Sequence, residues 1–355
     1  MAEGCETVGA SCESPAPAIT MSELSRDLGR SFSRTTQLLF DFRERLLRAS
    51  LSKRSRTVRV LGRLGYQILI PAWNHVRRGR WIHGTVYGRE LMMPAEHTIV
   101  STVTIYPHYN RALAVAAAVL HKEGQLLSII DVGANIGETV AAIEELNPGR
   151  NVYLCVEPDA HLAEFCRRNH SSSERVFVKQ VFAGERDDLG VVLEDDGRAN
   201  PSTKFSDIKG SQKLHRLDGV AANFIEHHGV DLMKTDTEGY DFNILRSAES
   251  ILKQHAPAVY FEWYPALLQK LSERIESIFE FLNHYGYRHW IFFTARGELH
   301  CEISDLTTRE VEVLAKVALD RSDVLYFDVF GSTSETVTRS LTDRYLESAG
   351  AGLGN

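Results

Sequence analysis

The sequence has few cysteines and no pairing pattern among them. They are Cys5, Cys12, Cys155, Cys166 and Cys301, and no two of them form a CxxC pair. An odd number of cysteines without zinc-site spacing argues against a disulfide framework and against a structural zinc site. Cys155 and Cys166 lie within apolar patterns, where buried reduced thiols are usual. The sequence therefore predicts a reducing compartment.

The chain also lacks a long hydrophobic run. Its longest apolar run, residues 112–120, is far shorter than the roughly 20 residues that a membrane-spanning helix needs. The first 25 residues have neither the basic start nor the apolar core of a signal peptide. We therefore expect a soluble protein located in the cytoplasm.

The chain as a whole has no excess of positive charge, but a segment near its start does. The formal net charge is −7, which argues against a dedicated nucleic-acid binder. Residues 26–90, however, contain 15 Lys/Arg and 4 Asp/Glu, a local balance of +11. Such a basic arm indicates an anionic partner, peripheral contact with a membrane surface, or a well-solvated helical face.

The composition is that of a globular protein, with 43% hydrophobic and 25% charged residues in 355. We divide the chain by its patterns. The predicted parts are a disordered tail (1–24), a basic helical extension (25–83), an α/β domain (84–330) and a polar C-terminal tail with one short helix (331–355).

Strand-like and helix-like runs alternate from Ser128 onward. The strand-like runs are nearly continuous in hydrophobicity, which is typical of strands covered on both faces. Helical periodicity predicts single helices over 241–254 and 267–283. A hairpin is predicted over 84–97, and the polar stretch from Leu193 is an excursion over the ligand site or a surface hairpin. The alternation predicts a doubly wound α/β sheet of mostly parallel strands.

A glycine-rich turn, DVGANIG, follows the first strand of this alternating region. Its glycines are Gly133 and Gly137, and Asn135 occupies the position of the second glycine of a dinucleotide fingerprint. That glycine lets backbone approach a pyrophosphate, and the Asp131 carboxylate beside the turn would repel one. A ligand with an ammonium group and hydroxyls but no phosphate suits the turn better, and S-adenosylmethionine is such a ligand.

Glu157 ends the next strand, 20 residues after Gly137. An acidic residue at this point can accept both hydroxyls of a ribose. The alternative is a solvated carboxylate at a strand end. The predicted cofactor-binding residues are Asp131, Gly133, Ala134, Asn135, Gly137, Glu157 and Asp236.

Three motifs together resemble the FkbM-type methyltransferases. They are DVGANIGET, VEPDAHLAEFCRRN and VDLMKTDTEGYDFNILRSAESIL, in this order along the chain. The resemblance covers about residues 84–330. It implies a Rossmann-like, seven-stranded methyltransferase sheet and an S-adenosylmethionine-dependent O-methyltransferase of the kind found in bacterial natural-product and surface-glycan pathways. The positions that match the family pattern are Asp218, Lys234, Asp236, Glu238, Gly239 and Glu262.

The sequence departs from the family in the helix before the first strand. Family members often carry a Glu there, whereas this chain has YPHYNRAL. The corresponding cofactor contact is lost or moves to Tyr109 or Asn110. His108, with Tyr106 and Tyr109, either lines the acceptor pocket or is a loop cluster that merely packs.

Methyl transfer to an alcohol needs an acceptor oxygen held in line and a base for its proton. We assign catalytic roles to three carboxylates: Asp236 on the cofactor side or as the base, Glu238 on the substrate side, and Glu262 at the acceptor pocket. We expect Lys234 to point away from Asp236 and to pair with a carboxylate. The same three carboxylates could instead supply the oxygen ligands of a Mg²⁺ site, which is the less favoured alternative.

The acceptor stays open at this stage. A sugar hydroxyl, a polyketide hydroxyl and a carboxylate all fit. Trp263, Tyr264 and Tyr240 near the strand ends either stack on a sugar ring, which slightly favours a glycosylated acceptor, or form pocket walls. Two other functions remain as alternatives: an NAD-dependent oxidoreductase on a similar sheet, and a catalytically silent binding or scaffold protein that uses the basic arm. Oligomeric state is not readable from the sequence.

Overall fold

A computed structural model describes residues 30–52, 55–185, 190–194, 202–205, 212–237 and 239–351. The predicted disordered tail, residues 1–24, lies outside these ranges, and so does Glu238. The strands are β1 (Ser31–Phe32), β2 (Arg80–Val86), β3 (Arg89–Pro94), β4 (Leu127–Val132), β5 (Asn151–Val156), β6 (Val176–Lys179), β7 (Phe182–Ala183), β8 (Gly190–Glu194), β9 (Ser202–Phe205), β10 (Gln212–His215), β11 (Leu232–Thr235), β12 (Ala258–Trp263), β13 (His289–Thr294), β14 (Leu299–Ser304) and β15 (Phe327–Ser332). The helices are α1 (Arg34–Leu51), α2 (Arg56–Val76), α3 (Ile99–Ile105), α4 (Arg111–Leu120), α5 (Glu138–Leu146), α6 (Ala160–Asn169), α7 (Leu217–His228), α8 (Asp241–Arg246), α9 (Glu249–His255), α10 (Pro265–Lys270), α11 (Ser277–His284), α12 (Thr308–Asp320) and α13 (Glu335–Ala351).

The main sheet has eight strands in the order β14-β13-β15-β12-β11-β4-β5-β6. Strands β12, β11, β4, β5 and β6 are parallel to one another. Strand β15 is antiparallel to both β12 and β13, and β14 is antiparallel to β13. The predicted doubly wound, mostly parallel, Rossmann-like sheet is confirmed, and the eighth strand, β14, is added at one edge as a hairpin from β13.

Helices cover both faces of this sheet. Strands β4 and β5 are buried along their whole length because helices pack on each side of them. One core is rich in aromatic side chains and includes Phe242, Trp263 and Trp290. The opposite core includes Leu113 of α4 and Tyr345 of α13. The carboxyl ends of the parallel strands therefore emerge between two covered faces.

The predicted helix 241–254 is divided into α8 and α9, and the predicted helix 267–283 into α10 and α11. Ser247 interrupts the first because its hydroxyl donates to the carbonyl of Ile244 (2.6 Å) and accepts the N–H of Leu217 (3.1 Å). In the second break, Glu273 forms an ion pair with Arg246 (2.7 Å). Both breaks depend on partners from other elements, which helical periodicity does not show.

A smaller sheet has the strand order β7-β10-β8-β9. The stretch from Leu193, interpreted as an excursion or a hairpin, contributes the end of β8 and all of β9 to it. These two strands are antiparallel, which agrees with the hairpin alternative. Residues 195–201 between them lie outside the described part of the chain.

The basic extension forms two packed helices, α1 and α2, beside a three-stranded sheet β1-β2-β3. The predicted hairpin is confirmed as β2–β3, although β2 begins at Arg80 rather than at residue 84. The rings of Phe40 and Trp73 hold the helices together, with 5.8 Å between their centroids. The side chain of Arg43 donates to Ser101 of α3 (3.0 Å) and pairs with Glu44 (2.9 Å). The extension is thus joined to the rest of the chain by buried contacts.

Residues 331–351, which the sequence pattern sets apart as a polar tail, complete β15 and form α13. Leu341 and Tyr345, four residues apart on α13, are buried in the core that contains α4. Arg111 of α4 donates to the backbone carbonyl of Ser348 (2.6 Å). A polar helix with one apolar stripe therefore covers part of the main sheet.

None of the helices in the described ranges is both long enough and apolar enough to cross a lipid bilayer.

Candidate active site

The glycine-rich turn connects β4 to α5 in a left-handed backbone conformation. Gly133, Asn135 and Gly137 have φ values of +77°, +50° and +85°. A Cβ atom on Gly133 would lie 2.0 Å from the carbonyl oxygen of Asp236. Only glycine permits both this φ and this approach, so the turn lies directly against the end of β11.

Most backbone N–H groups of the turn already donate within the protein. Those of Gly133 and Ala134 donate to the carbonyl of Val156 (2.9 and 3.2 Å). The N–H of Asn135 donates to the Glu157 carboxylate (2.8 Å), and that of Gly137 to the carbonyl of Ala134 (2.8 Å). The turn therefore differs from phosphate-binding loops, whose N–H groups point at the ligand.

Glu157 follows β5 and lies beside this turn. One carboxylate oxygen accepts the N–H of Asn135 and the other accepts the N–H of Asp159 (3.0 Å). The residue is 5% exposed, and burial raises the pKa of its carboxyl to about 7. A carboxylate has about four acceptor positions, so two remain for a ligand.

A buried histidine fixes the Asn135 side chain. Nδ1 of His97 accepts the N–H of Ile99 (3.2 Å), so Nε2 carries the proton and donates to Oδ1 of Asn135 (3.2 Å). Burial lowers the pKa of His97 to about 4, which keeps the ring neutral. His97 was not predicted from the sequence, because no motif or residue spacing connects it with the glycine turn.

Asp131 and Lys234 form a buried ion pair between neighbouring strands, with 2.9 Å between Nζ and Oδ1. Lys234 Nζ also donates to the carbonyl of Gly133 (3.2 Å) and lies 3.7 Å from Oδ2 of Asp236. Burial alone would lower the pKa of Lys234, but the carboxylates of Asp131 and Asp236 outweigh it and raise the pKa above its ordinary value. Lys234 thus pairs with carboxylates as expected. The expectation that it points away from Asp236 was wrong, because residues two apart in a strand share a face.

Glu138 opens α5 immediately after the turn. Its Oε2 atom is buried and has no hydrogen-bond partner among the described residues. Burial raises the pKa of this carboxyl to about 8, and the Asp131 and Asp236 carboxylates nearby contribute to the rise. Glu138 is the glutamate of the DVGANIGET motif, and no role was predicted for it from the sequence. The turn is therefore surrounded by four carboxylates, those of Asp131, Glu138, Glu157 and Asp236, and by one ammonium group.

Two of the three predicted catalytic carboxylates, Asp236 and Glu262, lie at one end of the parallel strands of the main sheet. Asp236 follows β11 with 45% of its side chain exposed. Glu262, near the end of β12, is the register partner of Asp328 on β15. Glu238 lies outside the described residues. Asp236 and Glu262 thus share the carboxyl-terminal edge of the parallel strands, which is where ligands bind in open α/β sheets.

Asp328 is a carboxylate that sequence analysis missed. Burial, and then the Asp236 carboxylate, raise its pKa well above the ordinary value, and the Tyr260 hydroxyl donates a hydrogen bond to it. Burial, and then Asp236 and Asp328, likewise raise the pKa of Tyr109 well above its ordinary value. An aspartate inside the apolar run DVLYFDVF was the available signal.

Residues 131–289 match the family model of the methyltransferase FkbM domain. This segment is a methyltransferase FkbM domain. The resemblance seen in the three sequence motifs is confirmed. The FkbM domain contains the glycine turn, Glu157, Lys234, Asp236 and Glu262, whereas His97, Tyr109 and Asp328 lie outside the matched range.

Several solved structures resemble the chain at low identity. The methyltransferase FkbM from Methylobacillus flagellatus KT has 14% identity and a TM-score of 0.34, over 74% of this chain and 58% of that chain. The METTL16 MTase domain has 11% identity and a TM-score of 0.38, over 70% and 75%. The precorrin-6y C5,15-methyltransferase from Geobacter metallireducens GS-15 has 13% identity and a TM-score of 0.30, over 62% and 86%. No curated protein matches the sequence.

The aromatic residues proposed to stack on a sugar have different surroundings. Trp263 is fully buried in the FkbM domain, and its indole N–H donates to the carbonyl of Ile275 (2.9 Å), so its predicted stacking role was wrong. Tyr264 packs near Tyr326, with 5.7 Å between ring centroids. Tyr240 packs beside Leu214 of the smaller sheet. Tyr264, two residues after Glu262, therefore remains a candidate for the stacking role.

The YPHYN cluster is divided in the structure. Tyr106 lies under the guanidinium of Arg296, 5.4 Å away, and His108 lies near Tyr345, with 6.5 Å between ring centroids. Tyr109 instead lies close to Asp236 and Asp328. Asn110 hydrogen-bonds the hydroxyl of Tyr87. Of the two residues expected to replace the family's Glu, Tyr109 is thus the one beside the FkbM-domain carboxylates.

Asp218, another position of the family pattern, has a structural contact. Its carboxylate accepts the N–H groups of Ser250 (3.2 Å) and Ile251 (3.1 Å) in the first turn of α9. It therefore stabilises a helix start. Within the described ranges no group of three or more His, Cys, Asp or Glu side chains is arranged to hold a metal ion.

Proposed function

We propose that the protein is an S-adenosylmethionine-dependent O-methyltransferase that acts on a hydroxyl of a glycan or a natural-product small molecule. The FkbM domain supports methyl transfer. The choice of cofactor rests on the charge around the glycine turn, and the choice of acceptor on the carboxylate edge beside it.

The excess of carboxylates around the turn carries the proposal. Asp131, Glu138, Glu157 and Asp236 face a single ammonium group, that of Lys234, and Glu138 Oε2 has no partner within the described part of the chain. Carboxyl groups with raised pKa values lose their protons more readily beside a cation, so this site favours a cationic ligand and disfavours a pyrophosphate. S-adenosylmethionine has a sulfonium and an ammonium group and no phosphate, so it fits this donor set.

Two features of the turn favour the same ligand. Its N–H groups are occupied by Val156 and Glu157, which leaves few donors for a diphosphate. Glu157 retains acceptor positions that suit the two ribose hydroxyls. The NAD-dependent alternative needs the reverse: free N–H groups and no carboxylate at the turn.

The residues at the carboxylate edge would position the acceptor and take its proton. The bound cofactor supplies an activated methyl group, so the protein mainly has to orient the acceptor oxygen. Asp236 is half exposed and lies at the strand end nearest the turn, which suits the base. Lys234, 3.7 Å away, compensates its charge. Glu262, Asp328 and Tyr326 then form the wall on the acceptor side.

Calorimetry with S-adenosylmethionine, S-adenosylhomocysteine and NAD tests the cofactor. We expect the first two to bind and Glu157→Ala to weaken both by on the order of 100-fold, because two charge-assisted hydrogen bonds are lost. Glu144→Ala is the matched control, since Glu144 accepts bonds from Gly149, Asn151 and Tyr153, at the start of β5 rather than at its carboxyl end.

The other outcomes of this titration point elsewhere. Binding of NAD alone would support the oxidoreductase. Binding of none of the three would support the catalytically silent scaffold protein. If Glu157→Ala and Glu144→Ala bind S-adenosylmethionine equally well, Glu157 does not hold the ribose.

A further inference from the structure

Helix α2 exposes apolar side chains to an unusual degree. Ile68 is 77% exposed, Leu61 63%, Leu64 50% and Val60 49%. At 100° per residue these four side chains fall within an arc of about 100°. We call them the apolar face of α2. They form one contiguous patch, and contiguous patches mark contact surfaces, whereas single exposed apolar residues do not.

Three arginines flank this face. Arg56, Arg59 and Arg63 lie within an arc of about 60° on one side of it. Helix α2 contains neither Asp nor Glu, and Arg77 and Arg78 follow its end directly. An apolar stripe beside a stripe whose charged residues are all basic is typical of helices that lie in the interface of an anionic membrane.

The third side of α2 is already used for packing. A Cβ atom on Gly62 would lie 2.5 Å from the backbone nitrogen of Ser50, so the two helices touch there. Trp73 is buried against Phe40. Because Gly62 and Trp73 lie on the side away from the apolar face, α2 cannot rotate that face inward without losing its contact with α1.

Helix α1 is in turn fixed to the rest of the chain. The side chain of Gln37 exchanges two hydrogen bonds with the backbone of His83 (both 2.8 Å). Arg43 and Glu44 both bind the hydroxyl of Ser101 (3.0 and 3.1 Å). A ligand held by α2 would therefore hold the sheet domain through rigid contacts.

We propose that the apolar face of α2 and its flanking arginines dock on the surface of an anionic lipid bilayer. The apolar side chains enter the boundary between head groups and acyl chains, and the arginines bind lipid phosphates beside them. Charge complementarity favours this occupant. A second copy of the chain would cover the apolar face but leave both arginine rows without an anionic partner, and a nucleic acid would leave the apolar face uncovered.

Co-sedimentation of the full chain with lipid vesicles tests the proposal. The vesicles are phosphatidylcholine alone, or phosphatidylcholine mixed with phosphatidylglycerol. We expect binding to the anionic vesicles that weakens with added salt, and little binding to the neutral ones. Each basic residue near an anionic surface contributes roughly fivefold, so replacing Arg56, Arg59 and Arg63 with Gln should weaken binding by on the order of 100-fold.

The apolar face is tested by Leu61→Ser, Leu64→Ser and Ile68→Ser together. We expect binding to fall at least about tenfold, since the buried apolar area sets the strength of interfacial docking. Matched controls are Val313→Ser, Leu319→Ser and Leu346→Ser, which remove exposed apolar side chains from α12 and α13. Lys253→Gln, Arg309→Gln and Lys316→Gln, all exposed, control for net charge.

Three results would overturn the proposal: no binding of the wild-type chain to anionic vesicles, binding that the α2 variants leave unchanged, or an α2-dependent dimer that does not bind vesicles. Calorimetric titration of S-adenosylmethionine into the same variants separates this question from the proposed function. The affinity for S-adenosylmethionine should be the same in the wild type and in the α2 variants, whether or not α2 docks on a membrane.

Discussion

Asp236 follows β11 and is the residue that we propose as the catalytic base. Nearly half of its side chain is exposed, Lys234 Nζ lies 3.7 Å away, and the glycine turn touches its carbonyl oxygen. Asp131 on the neighbouring strand is a carboxylate too, but it is fully buried and paired with Lys234. The exposed Asp236 can therefore contact an acceptor, whereas the buried Asp131 holds Lys234 in place.

Asp236→Asn should lower turnover by an order of magnitude or more while the fold is retained. The amide keeps the shape of the side chain but cannot take the acceptor's proton, and general bases contribute about 10²–10⁴-fold. The measurement is methyl transfer from labelled S-adenosylmethionine to a panel of hydroxylated acceptors. Asp320→Asn, at the exposed end of α12, is the control. A rate close to wild type would remove Asp236 from the mechanism.

Single residues also show what the sequence could and could not predict. The strand-end positions of Glu157 and Asp236 followed from motif spacing, because a parallel strand places its last residues at one edge. His97 and Asp328 did not, since each reaches the site from an element distant in sequence. The same limit applies to Trp263, where aromatic character suggested stacking and the fold placed it in the core.

At the scale of elements, the contact between α1 and α2 depends on glycine. A Cβ on Gly62 would meet backbone atoms of Ala49 and Ser50 at 2.8 and 2.5 Å, and backbone cannot move aside as a flexible side chain can. Gly219 in α7 is a helical glycine of the opposite kind, with nothing within 4 Å of an added Cβ. The two positions form a matched pair.

Gly62→Ala should lower the free energy of unfolding by about 1–3 kcal/mol because of the steric overlap. Gly219→Ala should instead raise it by about 0.5–1 kcal/mol, since alanine is the better helix former and meets no obstacle. Chemical denaturation of both variants beside the wild type gives the comparison. Equal stabilisation by the two substitutions would show that α1 and α2 do not approach this closely.

Element boundaries were the least predictable part of the fold. Periodicity correctly identified helical stretches at 241–254 and 267–283, yet each is broken into two helices. The interruptions come from Ser247 and from the pair of Arg246 with Glu273, which involve different helices. Likewise, α13 was interpreted as part of a polar tail because its apolar stripe is narrow. Only the packing of that stripe in the core that contains α4 shows that the helix belongs to the fold.

At the scale of the whole molecule, buried ionisable groups couple stability to pH. Burial raises the pKa values of Glu157, Glu138 and Asp241 to about 7, 8 and 6. A raised carboxyl pKa means that the folded state binds more protons than the unfolded state between the two pKa values, so stability falls as pH rises through that window. His97, with its pKa lowered to about 4, has the opposite effect, which is confined below about pH 6.5.

The ligand-free protein should therefore melt at a lower temperature at pH 8 than at pH 6.5. In that window the histidine no longer contributes and Glu157 and Glu138 lose their protons. Glu138→Gln should flatten the dependence, because the amide does not ionise. Thermal melts of wild type and variant across this range provide the measurement, and parallel curves would mean that Glu138 does not lose a proton in this range.

The sequence by itself determined the alternating α/β pattern, the order of the motifs, the glycine turn with its acidic neighbours, and the resemblance to the FkbM methyltransferases. These properties are local, since they depend on hydrophobic periodicity and on residue types within short segments. Tertiary structure alone decided that Lys234 lies between two carboxylates, that His97 fixes Asn135, that Asp328 lies opposite Glu262 on the neighbouring strand, and that α2 leaves its apolar face uncovered. Each of these depends on which surfaces the packed elements bury against one another, and that is set by contacts between residues far apart in the chain.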